Sequence, residues 1–166
     1  MSSPPVLAVR HLGVTFASRH ATLAAVHDLS FAIAAGEVLG VVGESGAGKS
    51  VTGAAIIGLV EAPGRVHGEI ELNGRRIDRL SARERHRLRG REIGAIFQDP
   101  LTSLDPLFTI GDQLVETLRT HFPVSADDAR TRAIALLEQV GIPGAPARLG
   151  HYPHQFSGGM RQRVVI

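Results

Sequence analysis

Glu37-Val-Leu-Gly-Val-Val-Gly43-Glu-Ser-Gly-Ala-Gly-Lys49-Ser50 is the stretch on which the reading of this chain turns. Residues 37–42 form a short apolar run of the kind that makes a strand buried on both faces. A glycine-rich loop follows without a break, and from about Lys49 to Val60 the sequence reads as a helix. Strand, glycine loop and helix in that order are the context that a phosphate-binding loop requires. Gly43-x-x-x-x-Gly48-Lys49-Ser50 fits that pattern at every fixed position. Glycines open backbone conformations closed to other residues, so successive N–H groups converge on phosphate oxygens. The helix beginning near Lys49 aims its positive end at the same place. Lys49 is expected to reach the β and γ phosphates, and the Ser50 hydroxyl to ligate Mg²⁺. Ser45 after Gly43 also suggests a hydrolase nucleophile elbow, but that pattern needs glycine where Ala47 stands.

Working outward, the cations single out the same loop. Of the 18 Lys and Arg residues, 17 are Arg, and the one Lys is Lys49. An ammonium is a compact point charge that fits inside a tight backbone loop, whereas a planar guanidinium is too large for it. The formal charge is only +2, which gives weak support to an electrostatic grip on nucleic acid. With 43% hydrophobic and 20% charged residues the 166-residue chain reads as a folded domain rather than a disordered one. The absence of cysteine excludes a disulfide scaffold, a thiolate metal site and a cysteine nucleophile. No stretch approaches the roughly 20 apolar residues that cross a bilayer, nor is there a basic leader before an apolar core. The expectation is a cytoplasmic protein.

Upstream of the loop, residues 6–16 and 24–33 are β-rich with partial alternation, and Ala34-Ala35-Gly36 is a turn. Downstream, Pro63-Gly64 ends the helix, residues 68–74 read as a short strand closing on an Asn73-Gly74 turn, and Ser81-Ala-Arg-Glu84 is a capping box. Residues 93–97 read as another strand. Beyond it the pattern turns helical: residues 110–121, then 126–140 with Ser125 as N-cap and apolar residues at 129, 133, 136, 137 and 140. Two constellations are set aside. His151 and His154 lack a Cys or carboxylate to complete a metal site. The arginines between Arg75 and Arg91 are interleaved with Asp78, Glu84 and Glu92 and no aromatic, which favours a solvated helix face.

A second glycine motif narrows the class. Ser157-Gly158-Gly159-Met-Arg-Gln-Arg163, preceded by Tyr152-Pro-His-Gln155, resembles the signature motif of ABC transporter ATP-binding subunits. A Ser and two Gly at a helix start offer backbone donors and a hydroxyl to an anion, as the first motif does. The stretches 43–52, 96–104 and 152–163 are similar to those of oligopeptide and dipeptide importers, a branch that includes nickel carriers. Two departures stand out: Phe156 replaces the usual Leu, and Val51 replaces the Thr that would bond the α phosphate.

The resemblance implies an α/β fold, the N-terminal part of an ABC-type P-loop NTPase. It would have a β-rich nucleotide-binding core over residues 1–98, a helical subdomain over 99–156 and the start of the signature helix at 157–166. ATP and Mg²⁺ are the implied cofactors. The nucleotide would be held by Phe16 stacking on adenine, by Gly43, Glu44, Ser45, Gly46, Ala47, Gly48, Lys49, Ser50 and Val51, and by Ser157, Gly158 and Gly159. Gln98 would sense Mg²⁺ and the attacking water, which makes Lys49 and Gln98 the catalytic candidates and Ser50 and Gln98 the metal ligands. The implied partners are a second ATP-binding subunit, paired head to tail so that loop and signature belong to different sites, and transmembrane permease subunits. Nucleic acid is not among them. The implied location is the cytoplasmic side of the membrane.

In this family hydrolysis also needs an acidic Mg²⁺ ligand, a catalytic glutamate and a switch histidine, all expected beyond Ile166. The expectation is therefore an incomplete fold, with little hydrolysis of its own, poor solubility and apolar core surface left open. The alternative is a standalone nucleotide-binding or regulatory module that does not hydrolyse.

Overall fold

A computed structural model describes residues 4–18, 21–97, 99 and 103–166. The chain forms two compact units, Met1–Ile93 and Gly94–Ile166.

In the first unit, β1 (Leu7–Ala17), β2 (Thr22–Ile33), β3 (Gly64–Leu72) and β4 (Arg75–Arg76) form an antiparallel sheet in the order β2-β1-β3-β4. The partial alternation of β1 has a structural cause. His11 takes a left-handed backbone (φ 51°), and the register to both neighbours slips between residues 9 and 13. Arg10 and His11 both face solvent, so Val9, Leu12 and Val14 all point inward although 9 and 12 differ in parity. The bulge is tied across the sheet by His11 Nδ1 and Asp28 Oδ1 at 2.7 Å and by the His11 N–H donating to Ser30 Oγ at 2.8 Å. Asn73 and Gly74, both at positive φ, close the β3–β4 hairpin as the sequence predicts.

The helix α1 (Lys49–Ile56) packs Ala55 against this core, with Val51 and Ile56 partly buried beside it. It is shorter than the sequence suggested. Gly58 at φ 70° receives the chain in a Schellman turn, with Gly58 N–H on Ala55 O and Leu59 N–H on Ala54 O. Helix α2 (Ala82–Leu88) starts on the expected Ser81–Glu84 capping box and buries Leu88 in the same core. Part of the arginine run is structural. The Arg85 stem covers Gly58, and Arg89 donates to Gly58 O at 3.4 Å, placing cations at the C-terminal end of α1, where they are favourable.

Two expected strands do not form. Residues 37–42 and 94–97 carry no strand, and Ile93 makes only a single bridge to Arg89. A buried parallel strand exists through hydrogen bonds to neighbours on both edges, and neither run pairs in a ladder with any described strand. Val38 and Val42 are each 94% exposed, so this run presents open apolar surface.

The second unit is helical: α3 (Ile110–His121), α4 (Ala126–Gln139), α5 (Ala145–Arg148), a 3₁₀ turn at Pro153–Gln155, and α6 (Gly158–Val165). Ile110, Ala133, Leu137, Ile142, Leu149, Phe156 and Val164 form its core. Of the apolar positions read on α4, Ala129, Ala133 and Leu137 are buried, Val140 is half-buried and Leu136 is exposed. Thr109 and Ser125 cap α3 and α4 with their side chains.

One charge cluster in the first unit sets a pH dependence. Arg76 grips Asp78 with two bonds of 2.7 Å and reaches Glu69 at 2.6 Å, while Asp78 also accepts the Ile70 N–H. The Arg76 guanidinium, foremost, pulls the Asp78 carboxyl down to about 2. A depressed carboxyl stabilises the fold above its unfolded value of about 4 and loses that contribution as pH falls through its folded value. Denaturant titration should find that the native chain loses on the order of 1 kcal/mol between about pH 4 and pH 2. Asp78→Asn should lack that step and be less stable at neutral pH. An unchanged acid profile would rule out the pairing.

Candidate functional site

The phosphate loop is built against β2. Gly48 is the N-cap of α1, at φ 82° and ψ 3°. Only glycine sits there without strain, because a Cβ would overlap the Ala25 carbonyl of β2. Gly46 is left-handed as well, at φ 85°. Ala47 N–H closes a turn on Glu44 O at 3.2 Å.

Lys49 turns back into the loop. Its Nζ donates to Gly43 O at 2.7 Å and to Glu44 O at 2.6 Å. An ammonium has three donors. Two hold it in the loop, and the third remains for an anion. Two fixed carbonyls also remove side-chain freedom before any ligand arrives, which lowers the entropy cost of binding. The same contacts explain why lysine, in a chain that otherwise uses Arg, stands at position 49.

The N-terminus of α1 differs from those of α3, α4 and α6. Those three carry a Thr or Ser side chain that accepts a first-turn N–H. Helix α1 has a glycine there, no side-chain cap and no acidic residue in its first turn. Its leading N–H groups are donors without an internal acceptor, at the positive end of the helix dipole. Cation, uncapped amides and left-handed glycines are therefore grouped in one loop, a combination suited to phosphate. Ser50 is exposed, with its hydroxyl open to solvent, and Val51 turns partly into the core, offering no polar atom.

Phe16, next to last in β1, is half-buried, its ring lying across Gly64, where a Cβ would meet it. Gln98 lies outside the described residues. Thr52 was not singled out from sequence, yet it is buried and its Oγ1 donates to Gly48 O at 3.0 Å. The signal available was its spacing, four residues beyond the last glycine of the loop, where a Thr hydroxyl reaches back.

The second motif lies in the helical unit. Ser157 caps α6, its Oγ accepting the Met160 N–H at 3.3 Å. That bond uses one lone pair and leaves the hydroxyl proton free to donate. Gly158 and Gly159 have neither a positive φ nor any atom within 4 Å of where a Cβ would stand. Each costs helix stability relative to Ala, and nothing in this unit requires its small size. Arg163 ties α6 to the end of α4 by donating to Val140 O and Gly141 O at 3.2 and 2.6 Å. Phe156, the unusual residue before the motif, is 3% exposed, with the Arg148 guanidinium 5.5 Å from its ring centre and His151 at its edge. His154 stacks instead on Tyr152.

A sequence model of the ABC transporter family matches residues 26–166. The chain belongs to the ABC transporter family. It is 49% identical over 162 residues to the dipeptide transport ATP-binding protein of Escherichia coli, covering 97% of this chain and 50% of that protein. The oligopeptide transport ATP-binding protein of Escherichia coli is 47% identical over 161 residues, 97% of this chain and 48% of that protein. The chain thus spans about half the length of these curated relatives. Among solved structures, a dimeric ATP-binding cassette in a post-hydrolysis state with ADP and Pi superposes with a TM-score of 0.83 at 25% identity, over 96% of this chain and 66% of that one. The ABC fold is therefore the architecture of this chain, with the antiparallel sheet, the α1 loop and the helical unit as its parts. The family binds nucleotide. Among the described residues, no helix is long and apolar enough to cross a membrane.

The seat of Gly48 is testable. Gly48→Ala should lower the thermal midpoint, with a loss of at least about 1–2 kcal/mol from the left-handed backbone alone, and should abolish binding of a fluorescent ATP analogue. A variant that melts and binds as the parent does would contradict the packing on Ala25.

Proposed function

We propose that this chain is the nucleotide-holding part of an ATP-binding subunit of a peptide importer. The observation that carries the reading is Lys49, clasped by the Gly43 and Glu44 carbonyls at the mouth of an uncapped helix. The residues fit Mg-ATP: a positioned ammonium with one spare donor, free first-turn amides, and an exposed Ser50 hydroxyl for the metal. Residues 43–51 hold the phosphates, Phe16 carries the adenine, and Gln98 senses the metal. When bound, ATP supplies the free energy of phosphoanhydride hydrolysis that drives transport.

The signature Ser157, Gly158 and Gly159 serve the nucleotide of a second subunit in a head-to-tail pair. Two glycines that nothing in their own unit explains support an approach from outside, as does the dimeric state of the similar cassette. The peptide substrate class follows from the dipeptide and oligopeptide transport relatives. Permease subunits anchor the protein at the cytoplasmic face of the membrane. An apolar docking surface supports that contact: Gln113 bonds both the N–H and the C=O of Asp105 and the Phe108 carbonyl, and so fixes a loop from which Leu107 is 79% exposed. The proposed organisation is a nucleotide-binding core over 1–98, a helical subdomain over 99–156 and the signature helix from 157.

Lys49→Ala should weaken Mg-ATP by about 1.5–3 kcal/mol, the scale of a charged hydrogen bond, in titration with a fluorescent ATP analogue. Unchanged affinity would overturn the assignment.

A further inference from the structure

Thr52 is the one buried polar side chain among the described residues, at 7% exposure. It makes two bonds to a single acceptor: its backbone N–H reaches Gly48 O at 2.8 Å, and its hydroxyl reaches the same oxygen at 3.0 Å. A mid-helix Thr often bonds the carbonyl four residues back merely to satisfy its hydroxyl. Here the acceptor is not a mid-helix carbonyl. It belongs to the N-cap glycine, which has a left-handed backbone and no Cβ, at the head of the helix.

That plane has a second side. The peptide unit joining Gly48 to Lys49 is trans and planar, so its C=O and N–H point in opposite directions. Pulling the carbonyl onto Thr52, one turn down the helix, turns the Lys49 N–H outward from the helix N-terminus. This amide is among the orphan donors of α1 and belongs to the residue whose ammonium is clasped in the loop. Gly48 is held from one side by the Ala25 carbonyl and from below by Thr52.

We propose that Thr52 is a positioning residue for phosphate: its hydroxyl fixes the Gly48–Lys49 peptide plane and so aims the Lys49 N–H at the ligand. The proposal rests on the reading of residues 43–51 as a nucleotide site, and it concerns aim rather than contact, since Thr52 itself touches no ligand. Val has the same shape as Thr and leaves Gly48 O still bonded by the residue 52 N–H. Thr52→Val therefore removes the hydroxyl without opening a cavity or leaving that acceptor bare.

The test compares Thr52→Val, Thr52→Ser and Lys49→Ala with the parent chain by titration with a fluorescent ATP analogue in Mg²⁺, together with thermal midpoints measured without nucleotide. Thr52→Val is expected to bind about 5- to 20-fold more weakly, at a midpoint equal to or above the parent's, and Thr52→Ser to restore affinity to within about twofold. If Thr52→Val binds as the parent does while Lys49→Ala loses affinity, the positioning role is overturned and the site stands. If neither variant changes affinity, the site assignment fails as well. A Thr52→Val midpoint that drops with affinity, unrescued by Ser, would mark Thr52 as packing alone and overturn the proposal.

Discussion

A glycine resting on a carbonyl organises the first unit. The loop backbone at Gly48 lies against Ala25 of β2 so closely that no side chain fits between them. That approach places the start of α1 on the antiparallel sheet and leaves the leading amides uncapped. It also puts Lys49 where two loop carbonyls can hold it. The opposite end of α1 is fastened too, by the Schellman turn at Gly58 and by Arg89 on the Gly58 carbonyl. With both ends fixed, the helix can present its donors in one direction without reorganisation, which is the form of electrostatic preorganisation that phosphate chemistry depends on.

The helical unit follows a different logic. The starts of α3, α4 and α6 are capped internally by Thr109, Ser125 and Ser157, and its core is continuous from Ile110 to Val164. Against that self-sufficiency, Gly158 and Gly159 stand out as positions with empty space around them. Leu107 and Leu136 likewise leave apolar surface in water. Small residues and apolar side chains turned outward in this way, beside buried nitrogens of His151 and Arg161 that have no partner among the described residues, are features common at contact surfaces.

Much of this was legible in the sequence, for local reasons. Ser81 with Glu84, Ser125 before an apolar stripe, and Asn73-Gly74 between paired runs encode their structures within four residues, so β3, α2 and α4 start or end close to where they were read. What failed depended on distant partners. Residues 37–42 have the composition of a buried strand, but composition cannot supply the neighbouring strands whose hydrogen bonds make one. Gly58 ended α1 inside a run that hydrophobic pattern alone extended to Val60. At the site, the motif named the residues, while the carbonyl clasp on Lys49, the seat on Ala25 and the Thr52 bond are facts of the folded backbone. The departure at Phe156 was legible as a larger packing residue. Its cationic neighbour Arg148 was not, because the seven residues of intervening chain decide where that guanidinium lies.

The bulge at His11 carries a further consequence. It lets Val9, Leu12 and Val14 share one face, so the phase of β1 is stored in the number of residues rather than in their identities. His11 and Arg10 lie in water rather than in the core, where His11 is held by Asp28 and Ser30 and Arg10 by Glu69 and Glu71. Loss of one residue there would invert every side chain on one side of the bulge relative to the other. The segment is thus intolerant of changes in length, and the sheet that supports the phosphate loop depends on its spacing.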